Sequence, residues 1–223
     1  MKILILGANG GVGSKLINIL AKNKADFTAS VRNEEKLKEL KSKGIDSRLI
    51  DVVNDSIDDM ADIFKGYDKV LFSVGAGGKG GAETTVKVDL DGAVKTMKAA
   101  KKAGISQYYM VSTWDSSRTA VKNPEDPIKT YTICKHYADL YLKENSGLSY
   151  TIIHPSTLND GGGEGRIEIT DTHSTKVAVD QSISRSDVAE VLAELLLREG
   201  FKNAEIQIAA GDTEIDKALD FIK

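Results

Sequence analysis

One cysteine in 223 residues, Cys134, leaves the chain no internal disulfide, which suits a reducing compartment. Its place inside a helical pattern favours inert packing over nucleophilic chemistry. Long apolar runs are missing as well. The N-terminal run is interrupted by glycine within seven residues, so it reads as neither a secretory signal nor a membrane span, and cytoplasmic residence is the expectation. Charge of one sign is also lacking: 30 Lys and Arg stand against 33 Asp and Glu, a net charge of −3, with a pI near 5.7. That balance argues against broad attraction to nucleic acid or to an anionic membrane, and Lys98, Lys101 and Lys102 read as a solvated helix face. The chain shows no repeat of solenoid length, no heptad run and no low-complexity linker, and no metal site is assigned. Its length suits one sheet covered on both faces but is too short for a full second domain, so residues 1–223 are expected to form a single domain.

The most informative feature present is Lys2-Ile3-Leu4-Ile5-Leu6 running straight into Gly7-Ala8-Asn9-Gly10-Gly11-Val12-Gly13. A buried strand thus leads through glycines spaced G-x-x-G-x-x-G into an amphipathic helix that carries Lys15 to Leu20. Such a turn lets backbone approach a pyrophosphate, and the N–H groups opening the helix supply donors and a positive dipole end. A glycine run alone marks many ordinary turns; the strand before and the helix after make this one a dinucleotide site held by Gly7, Asn9, Gly10, Gly11, Val12 and Gly13.

Strand and helix signals then alternate. Strands are expected at Asp26 to Val31, Ser47 to Ile50, Lys69 to Val74, Gln107 to Val111 and Ser149 to His154. Helices are expected at Glu34 to Lys43, Asp55 to Phe64, about Thr85 to Ala103 and Ile128 to Asn145. Beyond Pro155 the pattern loosens into Gly161-Gly162-Gly163, short strands at Arg166 to Ile169 and Lys176 to Val179, a periodic helix at Ser186 to Glu199, a strand at Glu205 to Ala209 and a terminal helix. The expected fold is α/β, a Rossmann-type doubly wound parallel sheet. Loops and short strands over 155–185 would form a small substrate-side lobe. Ligand would bind at the carboxyl ends of the strands, where strand order reverses.

The end of the second strand normally carries an acid for the adenosine ribose of NAD, but here reads Ser30-Val31-Arg32-Asn33. Arg32 can pair with a 2′-phosphate and stack on adenine, or can be a plain surface arginine, and its position favours NADP(H), with NAD(H) as the second choice. Asp51 and Val52 suit the adenine edge, although an aspartate there equally caps a turn. Ser73, Val74, Gly75 and Ala76 end the fourth strand with small side chains that permit close approach to a cofactor.

Downstream, Ser112-Thr113 ends the fifth strand, and Tyr131 and Lys135 share one face of the next helix. A phenol with a pKa of about 10 is a poor base near neutrality, and a neighbouring ammonium should lower it toward use as an acid/base. Ser184-Arg185-Ser186-Asp187 reads as a capped helix start.

Five stretches together resemble the short-chain dehydrogenase/reductase superfamily, in its atypical, NmrA-like and flavin-reductase-like branch. They are the glycine turn, Val111-Ser112-Thr113, Tyr131 to Lys135 with Ala138-Asp139, Leu148 to Ser156, and Ile183 to Ala189. The resemblance implies that Ser112 or Thr113, Tyr131 and Lys135 stand at the catalytic serine, tyrosine and lysine. It also implies that Lys135 holds the nicotinamide ribose, and that His154, Pro155, Ser156 and Leu158 pass close to the nicotinamide. Two positions depart from the pattern: His154 replaces the arginine common before the proline, and Trp114 to Pro127 separate the serine from Tyr131. His154 is accordingly read as packing against the sheet rather than moving protons.

The function expected is hydride transfer between NADP(H) and a small carbonyl, quinone or flavin-like substrate. The alternatives are a non-catalytic NADP(H) sensor acting on a protein partner, and a sugar epimerase or dehydratase.

Overall fold

The computed structural model of the chain describes residues 1–223 apart from 79, 124, 127, 171–180, 221 and 223. Its opening strand β1 (Ile3–Leu6) is buried on both faces. Ile3 and Ile5 face one apolar layer while Leu4 and Leu6 face the other, as the period of two requires. A continuous apolar run of this kind belongs to a parallel sheet covered by helices on both sides.

The first half follows as α1 (Gly11–Lys22), β2 (Phe27–Val31), α2 (Glu34–Ser42), β3 (Ser47–Leu49), α3 (Ile57–Phe64) and β4 (Lys69–Phe72). Asn33 caps α2 by accepting from the backbone N–H groups of Glu35 and Lys36, and Ser56 caps α3. Each side chain satisfies N–H groups that the helix start leaves unpaired.

The second half runs α4 (Gly81–Thr85), a π-helical stretch over Val86–Gly92, α5 (Ala93–Ala103), β5 (Gln107–Val111), α6 (Arg118–Lys122), α7 (Lys129–Glu144) and β6 (Tyr150–Pro155). The remainder is β7 (Leu158–Asn159), β8 (Arg166–Thr170), β9 (Ile183–Ser184), α8 (Arg185–Leu197), β10 (Ala204–Ala210), β11 (Thr213–Glu214) and α9 (Ile215–Leu219). The main sheet has the order β11-β8-β10-β6-β5-β4-β1-β2-β3. β3 to β6 and β10 are parallel, β8 and β11 add antiparallel pairings at one edge, and β7 pairs with β9 in a separate parallel ribbon. Strand order reverses between β1 and β4. The crevice there holds the turn after β1 and the loop after β4.

Three features differ from the sequence expectation. The helix expected from about Thr85 begins at Gly81 and contains a π-helical stretch. A short helix, α6, occupies part of the interval between β5 and α7. The β7–β9 ribbon ties the loop after β6 to the start of α8. The strand expected at Lys176 to Val179 lies outside the described residues.

Lys69 at the foot of β4 is buried, and its Nζ donates to the carbonyls of Leu196 and Arg198 at 2.7 and 3.1 Å. A cation at the negative end of α8 satisfies carbonyls that the helix cannot. It anchors α8 beneath the sheet, with its N-terminus beside the glycine turn.

Candidate active site

The site begins with backbone. Gly7 has φ +88°, and a Cβ there would lie 2.5 Å from the Ser73 carbonyl oxygen. A Cβ on Gly13 would lie 2.3 Å from the Gly7 carbonyl oxygen. These two positions are closed to any side chain. Gly10 differs: its φ of −72° is open to every residue, and a Cβ would meet the Gly7 oxygen at 3.2 Å. Asn9, Gly10 and Gly11 are exposed, whereas Val12 and Gly13 are buried. Gly10 brings no side-chain cap to α1, and the first turn holds no acid. The result is a shallow cradle of free N–H donors at a positive helix end, which fits the pyrophosphate of a dinucleotide.

Arg32 is exposed just beyond β2, and its charge reaches Asp51. Asp51 itself serves the turn, because its carboxylate accepts from Val53 N, Asn54 N and Asn54 Nδ2 at 2.9, 3.2 and 2.8 Å. Burial opposes its ionisation, yet these bonds and Arg32 hold its pKa below the ordinary value. Val52 is buried, against the position where a Cβ on Gly92 would project. Ser73, Val74, Gly75 and Ala76 line the other wall of the crevice. The Ala76 N–H donates to Asp89 Oδ2 at 3.0 Å.

Chemistry concentrates on α7. Tyr131, Lys135 and Asp139 recur every four residues and therefore share a face. The Lys135 ammonium lies 5.5 Å from the centre of the Tyr131 ring, 3.4 Å from Asp89 Oδ1, and donates to the Val111 carbonyl at 3.1 Å. Asp139 Oδ2 accepts from Ser112 Oγ at 2.7 Å, so Ser112 is brought to the same cluster with its proton turned toward Asp139. Burial opposes the charge on Lys135, but Tyr131, Asp89 and Asp139 outweigh it and raise its pKa.

Tyr131 reverses the sequence expectation. Its pKa is raised, not lowered, because burial opposes the phenolate more strongly than Lys135 favours it, and Asp89 and Asp139 add to the rise. The neutral phenol is thus the favoured form of Tyr131 in the free protein.

His154 is fully buried at the end of β6, with Nδ1 2.8 Å from the Thr113 carbonyl and Nε2 2.9 Å from Glu205 Oε1. Both nitrogens face oxygen acceptors, an arrangement that favours the imidazolium. Burial disfavours that charge, but Glu205 and Asp139 prevail and raise the pKa. Glu205, which also pairs with Lys143, is desolvated yet held down to about 2 by His154 and Lys143. The histidine braces the sheet and the Thr113 carbonyl, as the packing reading expects. Pro155 completes β6, Ser156 is buried with its N–H on the Ile208 carbonyl, and Leu158 opens β7.

The candidate site residues named in the sequence follow the carboxyl ends of β1 to β6 or lie on α7, and they form two groups. Gly7 to Gly13 and Arg32 lie at the β1–β2 end, with Asp51 engaged in its own turn and Val52 buried beside them. Ser112, Thr113, Tyr131, Lys135 and His154 to Leu158 lie beyond β4, joined to the first group by Ser73 to Ala76. Sequence reading missed Asp89 and Glu205. Asp89 sits in a run that reads as ordinary helix, and Glu205 carries no motif.

The NAD(P)H-binding family matches residues 7–199, and the chain belongs to it. Its structural neighbours include proteins named as epimerases or dehydratases and proteins named as reductases. The uncharacterized sugar epimerase YhfK of Bacillus subtilis is 36% identical over 220 residues, 98% of this chain and 99% of that protein. A Bacillus halodurans protein provisionally named an NAD-dependent epimerase/dehydratase superposes with a TM-score of 0.88 at 33% identity, covering 99% of both chains. The triphenylmethane reductase of Citrobacter sp., solved with NADP(H), superposes at 0.69 with 20% identity over 95% of this chain and 71% of its own, a likeness of fold. No helix among the described residues is long and apolar enough to cross a membrane.

Proposed function

We propose that this protein is an NADP(H)-dependent oxidoreductase that reduces a small carbonyl, quinone or flavin-like substrate. The observation that carries the reading is the Tyr131, Lys135 and Asp139 face beside Ser112, built at the edge of a glycine cradle in a chain of the NAD(P)H-binding family. Bound NADPH would supply the hydride. Gly7 to Gly13 would hold its pyrophosphate and Arg32 its 2′-phosphate, with Lys135 at the nicotinamide ribose.

The protein's own part is then electrostatic and protonic. Tyr131 keeps its proton and can give it to an oxygen that gains negative charge during reduction. Lys135, charged and held by Asp89, lies close enough to stabilise the phenolate that remains. Asp89 also fixes the loop after β4 through the Ala76 N–H, so one carboxylate positions both the ammonium and the wall of the crevice. Ser112 donates to Asp139 in the free protein and would have to turn to meet a substrate.

The name of the Bacillus subtilis relative favours a second reading, in which the same site epimerises a sugar by transient oxidation. Sustained NADPH consumption separates the two, since an epimerase returns its cofactor unchanged. Continuous measurement of NADPH oxidation with a panel of carbonyls, quinones and flavins should reveal at least one acceptor. No consumption with any of them overturns the oxidoreductase reading.

A further inference from the structure

Arg185 is the first residue of α8, and its side chain lies against the first residue of α1. A Cβ on Gly11 would sit 2.7 Å from Arg185 Cδ and 2.9 Å from Nε, so the absent side chain at position 11 is what admits the arginine. A cation is electrostatically misplaced here. It stands at the positive end of its own helix and over the positive end of a second, where anions are favoured and cations are not. Its guanidinium donates to Asp160 Oδ1 at 2.9 Å, but Asp160 is 86% exposed, and a pair so solvated holds an arginine only weakly. Asp187, the acid in the same first turn, is already engaged: its oxygens accept from Ser184 Oγ and the Gly165 N–H, and its own backbone N–H donates to Ser184 Oγ. Those bonds make the base of Arg185 rigid and leave its guanidinium free to change partners.

We infer that Arg185 is a pyrophosphate ligand, meeting the cofactor beside the glycine turn and exchanging Asp160 for phosphate oxygens. This rests on the NADP(H) reading of the site and adds to it a contact from the start of α8. Two phosphate charges would neutralise the two helix ends and the guanidinium together. Arginine suits the task because its planar donors can engage phosphate oxygens in pairs.

The test compares NADPH with adenosine 2′-monophosphate, which keeps the 2′-phosphate for Arg32 but has no pyrophosphate. Arg185→Ala should weaken NADPH binding, read by fluorescence titration, by about ten- to a hundred-fold, while 2′-monophosphate binding stays within about two-fold. Arg185→Lys should recover part of the loss. In the unmodified protein, NADPH should protect both Arg32 and Arg185 from phenylglyoxal in a mass-spectrometric footprint, and adenosine 2′-monophosphate should protect Arg32 alone. This second arm does not depend on the variant folding. Unchanged NADPH affinity in Arg185→Ala, equal losses for both ligands, or equal modification of Arg185 with and without NADPH would each overturn the inference. Failure of the unmodified protein to bind NADPH at all would instead remove the cofactor reading on which it stands.

Discussion

The two ends of the crevice are built by opposite means. At the β1–α1 turn the proposed ligands are backbone N–H donors, and the side chains contribute chiefly by being absent at Gly7 and Gly13. Beyond β4 the proposed site relies on buried charges, Lys135 among Asp89, Asp139 and Tyr131, with His154 nearby on Glu205. A backbone site is local, needs few residues and is held by sterics. A buried charge cluster is drawn from π-helical Val86–Gly92, β5, α7, β6 and β10, and each charge depends on a partner distant in sequence. The first should break through volume and the second through loss of one partner.

Gly13→Val sets the upper limit. With a Cβ 2.3 Å from the Gly7 oxygen, the turn must move, and NADPH affinity should fall by about a thousand-fold or more. Gly10→Ala, in the same turn with an ordinary φ, should lose no more than about ten-fold. Titration beside a thermal melt reads both, and equal losses would show that glycine at these positions does not act through space.

At the other end, Asp89→Asn strands the Lys135 ammonium in a buried site and should cost about 3–5 kcal/mol of stability. Urea unfolding measures it, and a loss below about 1 kcal/mol would mean that Asp139 alone suffices for the lysine. Arg32→Ala removes an exposed group outside both cores. It should leave the melt unchanged while erasing a preference for NADPH over NADH of about ten- to a hundred-fold. Calorimetry with both cofactors decides this, and equal affinities in the unmodified protein would contradict the assignment of Arg32.

Glu205→Gln should cost about 2 kcal/mol of stability near neutrality. The folded pKa of Glu205 is about 2 against an ordinary 4.5. Its contribution is therefore full above 4.5 and vanishes as pH falls toward 2. The raised pKa of His154 has the opposite sense, adding stability below its ordinary 6.5 that is lost as pH climbs through the raised value. Unfolding the variant and the parent from pH 7 to pH 2 should show their difference closing. A constant difference would place the effect in packing.

The same contrast explains what could be read from the sequence. Gly7 to Gly13 announce themselves because strand, turn and helix are consecutive, and the Tyr131 and Lys135 pair is visible because four residues make one helical turn. Alternation of apolar runs was enough for the parallel sheet from β1 to β6. Asp89 was hidden because it sits between Val88 and Leu90 in a run that reads as regular helix, and the π-helical stretch alters the register of the faces. The direction of the Tyr131 shift was hidden for a related reason. Spacing reveals the lysine one turn away, but not the burial and the two carboxylates that outweigh it. Glu205 meets His154 only through the pairing of β10 with β6, a contact across 51 residues.

The most direct test of the division between a binding turn and a chemical face is Tyr131→Phe, followed in one experiment by NADPH titration and single-turnover hydride transfer to an accepted carbonyl. The account predicts unchanged affinity with a rate lowered by about 10²–10⁴, since the ring and its packing remain while the proton is gone. An undiminished rate, or a loss of affinity as large as the loss of rate, would contradict it.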